Sequence, residues 1–315
     1  LVTLWLVDQR AKRSRPPIKH FPPQAPNLDP YRNAALDVAA EVGRSAGTDV
    51  GYAERIVTRR LAEDDFDIVL SATPGGRSAA IARIAFEVRN HVPTEDDSRS
   101  LATLVRIALL AQIEAVWWGR WPGYLTDEDV CDSADLVDLD AMEQAGQLRF
   151  RYRHQATTFL ARAARSAERR TLPGRTPRTA GLSVARSRPQ TVAWLNQLAE
   201  EFALRAPYGT PPLWVTSLTR SIAHQKHLKS LGYIAVLPSS HCIGYAADIE
   251  MAWYRRFHAH RLLRGLLLDR QRANEVNVID EGQVWHVCLR PEIVHGPRPL
   301  PRAQASQPGE SEPER

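Results

Sequence analysis

Apolar residues recur at intervals of three and four through the first half of the chain, the signature of helices that bury one face. Ala34, Ala35 and Leu36 through Val42 carry this pattern, as does the stretch from Ala53 to Leu61. The densest run, Leu101 to Trp118, places Leu104, Ile107, Ala108, Ala111, Ile113 and Val116 on a broad apolar face. A further helix is expected from about Ala141 to Arg169, with Gln147 as a place where it can fray. Beyond Pro189 the pattern changes. Thr191–Leu204, Ser221–Leu231 and Trp253–Arg272 read as helices. Leu213–Leu218, Tyr245–Met251, Val276–Ile279 and Val284–Leu289 are short apolar runs of strand length between them. Strands interleaved with helices in this way predict a compact α+β domain preceded by a mostly helical one.

Punctuation along the chain sets the expected boundaries. Residues 1–29 form a flexible, proline-rich arm, 30–169 the helical domain and 170–190 an Arg/Pro-rich linker. Residues 191–297 form the second domain, and 298–315 a disordered tail of proline, serine and charge. At 315 residues the chain has room for two domains. With 43% hydrophobic and 24% charged residues, it belongs with ordinary globular proteins. The apolar start, Leu1 to Val7, is too short to span a bilayer, and its basic run follows rather than precedes it. No transmembrane segment or signal peptide is therefore expected, and a cytoplasmic location is the default. Because the chain opens on Leu rather than Met, its start decides nothing further.

The net charge of +5 is concentrated, since Arg162 to Arg188 holds eight arginines and one acid, Glu168. Such a stretch suits nucleic acid, anionic lipid or an acidic wall polymer. No aromatic interleaving or nucleic-acid motif accompanies it, so it reads as a solvated linker, with nucleic-acid binding as a lesser alternative. Trp117, Trp118 and Trp121 cluster around Gly119 and read as packing, with ligand contact as the other use of such a group. Thr73 to Arg77 lacks the lysine of a phosphate loop and reads as a turn. Cys131, Cys242 and Cys288 form no CxxC pair and read as small apolar side chains.

The chemistry resides in two blocks. Ser239-Ser240-His241 is followed seven positions on by Asp248, and a later strand carries Trp285-His286-Val287. Two histidines and an aspartate are the donor set of a hydrolytic zinc site, which leaves one coordination position open. Asp248, flanked by Ala, Ile and Met, needs a partner, and either a metal or Arg220 supplies one. On a strand, Ala246, Asp248 and Glu250 share a face, and Ala247, Ile249 and Met251 share the other. His224 and His227 sit on one helix without a third ligand at motif distance. His258 and His260 belong to a basic surface with Arg255, Arg256, Arg261 and Arg264.

These blocks resemble the zinc D-alanyl-D-alanine peptidase superfamily, which includes hedgehog-type domains and peptidoglycan endopeptidases. Thr216 to Ser221, with Gln225, is similar to that superfamily's upstream segment, and the likeness runs from Pro212 to Arg290. It implies a small antiparallel sheet flanked by helices. It further implies zinc held by His241, Asp248 and His286, with Arg220 as an electrophilic helper and Ser217, Gln225, Ser240 and Trp285 at the substrate. The implied substrates are short peptides, including the D-amino-acid stem of bacterial peptidoglycan, cut by carboxypeptidase or endopeptidase action. The chain departs from the family at the base. A glutamate three residues before the last histidine, or a histidine two before it, is expected; Gln283 and Val284 stand there, and neither takes a proton at neutral pH. Glu281 is the replacement, provided the chain bends at Gly282, with Asp280 close by. The alternative is a catalytically silent zinc domain that binds wall peptides or a protein partner.

Overall fold

The computed structural model describes residues 26–92, 99–172 and 174–295, so most of the expected arm and the expected tail lie outside the described residues. A mostly helical N-terminal region is followed by a small antiparallel sheet flanked by helices. The principal helices of the first region are α1 (Asp29–Ser45), α2 (Val50–Arg60), α3 (Gly76–Arg89) and α4 (Leu101–Trp118). Helix α1 begins with Pro30 in its first turn, where the missing N–H costs nothing. It buries Tyr31, Ala34, Ala35, Val38 and Val42 along one stripe. Helix α4 is capped by the Ser100 side chain, which accepts from the Thr103 N–H at 3.2 Å. It is buried on nearly every side, which is why its sequence is apolar almost all round.

The remaining principal helices are α5 (Phe159–Thr171), α6 (Pro189–Arg205), α7 (Ile222–Ser230) and α8 (His260–Arg272). Strands β1 (Val215–Ser217), β2 (Ala246–Glu250), β3 (Val276–Asp280) and β4 (Val284–Leu289) form one antiparallel sheet in the order β1-β2-β4-β3. Alternation along the strands divides its residues between two layers. Ala247, Ile249, Trp285, Val287, Val276 and Val278 join a core with Leu195, Leu198 and Phe202 of α6 and Leu263, Leu266 and Leu267 of α8. Ala246, Cys288, Asn277 and Ile279 turn the other way, toward α4 and its end at Trp118. The Trp118 indole stacks on Tyr245 at 4.3 Å and donates to the Leu289 carbonyl at 2.8 Å, so Trp118 is a packing residue.

Two expected helices are broken. Between a short helix at Leu139–Gln144 and α5 the chain runs extended, because tertiary partners outcompete the helical propensity of its residues. Phe150 is buried there, the Arg151 N–H donates to Leu213, and the Arg151 carbonyl accepts from Val215. Likewise Trp253–Arg272 divides into a 3-10 segment, Ala252–Phe257, and α8, with His258 left-handed at φ 55° between them. His258 and His260 therefore do not share one helix. The segment 174–188 runs beside this part of the fold: Leu182 is buried, and its N–H donates to Arg153 while its carbonyl accepts from Gln155.

Because α4 is the member shared by the helical region and the sheet, a cavity in it is expected to loosen both. Leu109→Ala, at a fully buried position, is expected to cost about 2–5 kcal/mol of stability. Chemical denaturation measures this, and a loss below about 1 kcal/mol would show that α4 is not the central packing element.

Candidate metal centre

The sheet register brings the distant parts of the sequence pattern together. Asp248 on β2 lies directly across from His286 on β4. His241 comes from a single 3-10 turn, Ser240–Ile243, immediately before β2. Its Nε2 stands 3.0 Å from Asp248 Oδ1 and 3.1 Å from His286 Nδ1, and the latter two are 3.0 Å apart. All three side chains are buried. Ligands held at about 2.0–2.1 Å around a tetrahedral zinc stand roughly 3.3 Å from one another. The observed triangle is within a few tenths of an ångström of that, so the cluster can coordinate a metal ion.

The partners on the far side of each ring decide which nitrogen faces the centre. His241 Nδ1 meets the Leu218 carbonyl at 2.7 Å. A carbonyl only accepts, so Nδ1 carries the proton and the Nε2 lone pair points inward. For His286 the order is reversed, because Nε2 faces both oxygens of Glu114 at 3.2 Å and Nδ1 faces the centre. Glu114 comes from α4 in the helical region, 172 residues earlier in the chain. Its carboxylate also accepts from Ser240 Oγ at 2.6 Å and from Asn277 Nδ2 at 2.9 Å. A carboxylate behind a ligating histidine is the usual way proteins fix its orientation and raise its basicity. The sequence pattern did not reveal Glu114. Its only signal was a single acid inside a mostly apolar helix.

Arg220 occupies the other oxygen of Asp248. Its Nη2 donates to Asp248 Oδ2, its Nε to Ser217 Oγ at 2.5 Å and its Nη1 to Gln225 Oε1 at 3.1 Å. Asp248 thus has the arginine that its sequence context called for on Oδ2, while Oδ1 faces the two imidazoles.

Electrostatics follow from this packing. Burial disfavours an ionised Asp248, but His241 and Arg220 outweigh it and hold the carboxyl well below its usual range. Burial, reinforced by Arg220, drives His241 down to about 4, so it stays neutral and ligand-competent. Burial opposes a charged His286 as well, yet Glu114 and Asp248 on either side raise it well above the ordinary imidazole value. A proton on His286 therefore competes with a metal for Nδ1. Glu281, next to a bend where Gly282 adopts φ 85°, is pushed up to about 7 by burial and then by the Asp248 charge. It is therefore divided between its protonated and ionised forms at neutral pH.

A cleft of about 840 Å³ reaches this cluster at its Asp248 edge, and His241 and His286 are not among its lining residues. Asp248, Arg220, Ser217, Glu281 and Gln283 all line it, with Thr176 and Ser183 of the 174–188 segment on its wall. His224 lines it too, its pKa lowered by burial, whereas His227 is not among its lining residues. The other sequence-selected residues lie elsewhere. Ser240 supports Glu114 and borders a separate cavity of about 120 Å³ behind the cluster. Gln225 is buried and anchors Arg220 to the Val236 carbonyl. Trp285 is buried in the core on the opposite face of the sheet from His286, as strand alternation requires. Cys242 and Cys288 are free and buried, and burial pushes the Cys242 thiol up to about 11.

Compared with protein-family models, curated proteins and solved structures, the chain matches none.

Metal loading provides the direct check. The purified chain is expected to take up about one zinc or cobalt ion, and His241→Ala or His286→Ala to abolish stoichiometric uptake by elemental analysis. Glu114→Ala is expected to weaken binding about 10–100-fold in competition with a chromophoric chelator, with a smaller loss for Glu114→Gln. Full retention of metal in the His241 variant would exclude the centre.

Proposed function

We propose that the chain is a zinc-dependent peptide hydrolase acting on short or peptidoglycan-stem peptides. The observation that carries this reading is the cleft wall shared by Asp248, Arg220 and Glu281, with a proton acceptor and a cation beside a three-donor metal cluster. The resemblance of the His241–Asp248 and Trp285–His286 blocks to zinc D-alanyl-D-alanine peptidases supports the same chemistry.

His241, Asp248 and His286 would hold the zinc. When bound there, the metal supplies Lewis acidity toward a carbonyl and lowers the pKa of water. The residues of the chain do the rest. Glu281 takes the proton of the attacking water as the new C–O bond forms, and returns it to the leaving nitrogen as the C–N bond breaks. Arg220 is already oriented by Ser217 and Gln225, and directs its charge at the negative oxygen that develops. Thr216 and Ser217 on the cleft wall offer hydroxyls for the peptide backbone. Gln283, also on that wall, leaves the proton transfer to Glu281.

Glu281→Gln preserves size but removes the acceptor, so zinc is expected to remain while kcat falls about 10²–10⁴-fold. Activity of the parent should rise with pH and level off, because the base works only when unprotonated. Glu281 stands near about 7 without metal, and a cation beside it favours the charged form, so the midpoint is expected at or below that value. The assay uses stem peptides and ordinary L-peptides, with metal-stripped protein as the control. Unchanged turnover in Glu281→Gln would exclude it as the base. No turnover by the zinc-loaded parent on either panel would leave a silent zinc-binding domain.

A further inference from the structure

Helix α5 is amphipathic, but it is mounted the wrong way round for a helix that packs into a core. Phe159, Ala163 and Ala167 follow one another at intervals of four, with Leu160 and Ala164 beside them, and all five are exposed. Phe159 is 76% and Leu160 79% accessible. The polar side faces the protein instead. Arg165 donates to the carbonyls of Ala180 and His154, and Glu168 accepts from Thr176 at 3.1 Å and pairs with Arg153 at 3.6 Å. The helix is therefore anchored through its charges, with its apolar stripe turned toward solvent. That arrangement leaves apolar surface in water for no internal gain, which marks an interaction site.

The surroundings of the stripe specify what covers it. Arg162 and Arg170 on the helix are exposed and have no carboxylate partner among the described residues, and the same holds for Arg175 and Arg178 just after it. Arg256 adds to the group, since its guanidinium lies against Gly174. A second copy of the chain meeting this face about a two-fold axis would set these arginines against their own equivalents. A nucleic acid would satisfy the arginines but not a stripe of Phe, Leu and Ala. An anionic bilayer satisfies both, with apolar side chains among the acyl ends and arginines at the phosphates.

We propose that α5, continued by the exposed Leu172, is an interfacial helix that docks the protein on an anionic lipid surface. The segment that leaves it, residues 174–183, forms a wall of the large cleft. Docking therefore holds that cleft beside the bilayer, and the inference stands whether or not the cleft hydrolyses peptides.

The test is co-sedimentation of the full chain with vesicles of phosphatidylcholine alone or mixed with phosphatidylglycerol. Binding to the mixed vesicles is expected, weakening about fivefold for each arginine neutralised in Arg162→Gln and Arg170→Gln. Phe159→Glu with Leu160→Glu should abolish it. Both side chains are exposed, so thermal melting and metal content should match the parent. Absence of vesicle binding by the parent would overturn the proposal, as would binding that the Phe159/Leu160 variant retains in full. A parent dimer that this variant converts to monomer, without vesicle binding, would assign the face to self-association.

Discussion

Glu114, Asp248, His241, His286 and Arg220 are packed around one point out of water, and the rest of the fold is arranged to make that tolerable. Each buried charge costs several kcal/mol unless it is paired and hydrogen-bonded. Here the account balances through geometry: Asp248 spans Arg220 and the two imidazoles, and Glu114 spans His286, Ser240 and Asn277. Without metal, the guanidinium and a protonated His286 offset the two carboxylates. A divalent ion bound there would replace the His286 proton and leave Arg220 as surplus positive charge beside the cleft. Such a charge would draw the neighbouring Glu281 toward its ionised form.

The same constraint explains why the helical region belongs to the site. No strand of the sheet supplies the carboxylate behind His286, so it is delivered by α4 from the other layer. Arg106 of that helix donates to the Asp280 carbonyl at 3.1 Å, and Trp118 reaches Leu289, so the helix is fixed both to β3 and to β4, the strand of His286. A helix so held places the Glu114 carboxylate 3.2 Å from His286 Nε2. It is long and apolar enough to cross a membrane, but its sides are covered by protein. Its composition records burial.

The three donors were legible in the sequence because the local spacing of His241 and Asp248 and the strand character around His286 both survive in the fold. The parity argument was sound for β2, where Asp248 and Glu250 do share a face that Ala247 and Ile249 avoid. Applied to β4, the same parity separates Trp285 from His286, so a residue adjacent to a ligand in sequence lies across the sheet from it. Glu114 was illegible because its partner is distant and no periodicity distinguishes a buried acid from a misplaced one. The helix expected to run from Ala141 failed for a related reason. Residues near Arg151 have helical composition, but their backbone groups are claimed by Leu213 and Val215, which no local window contains.

Residues 174–188 show how composition and geometry part company. Glycine, proline and arginine there suit a loose connection, yet the glycines serve close approach. A Cβ at Gly181 would lie 2.5 Å from the His154 carbonyl oxygen, and φ is 90°, so only glycine fits. That contact lies beside the Arg165 bonds that seat α5, and the Trp253 indole donates to the Gly174 carbonyl at 2.9 Å from the opposite side. The segment is thus fastened both to the helix before it and to the 3-10 turn that follows β2. Whatever displaces α5 must strain the wall of the cleft, and whatever fills the cleft presses on a wall that α5 supports. Of the arginines of this stretch Arg178 lines the cleft, so its charge is placed by the same contacts that shape that wall.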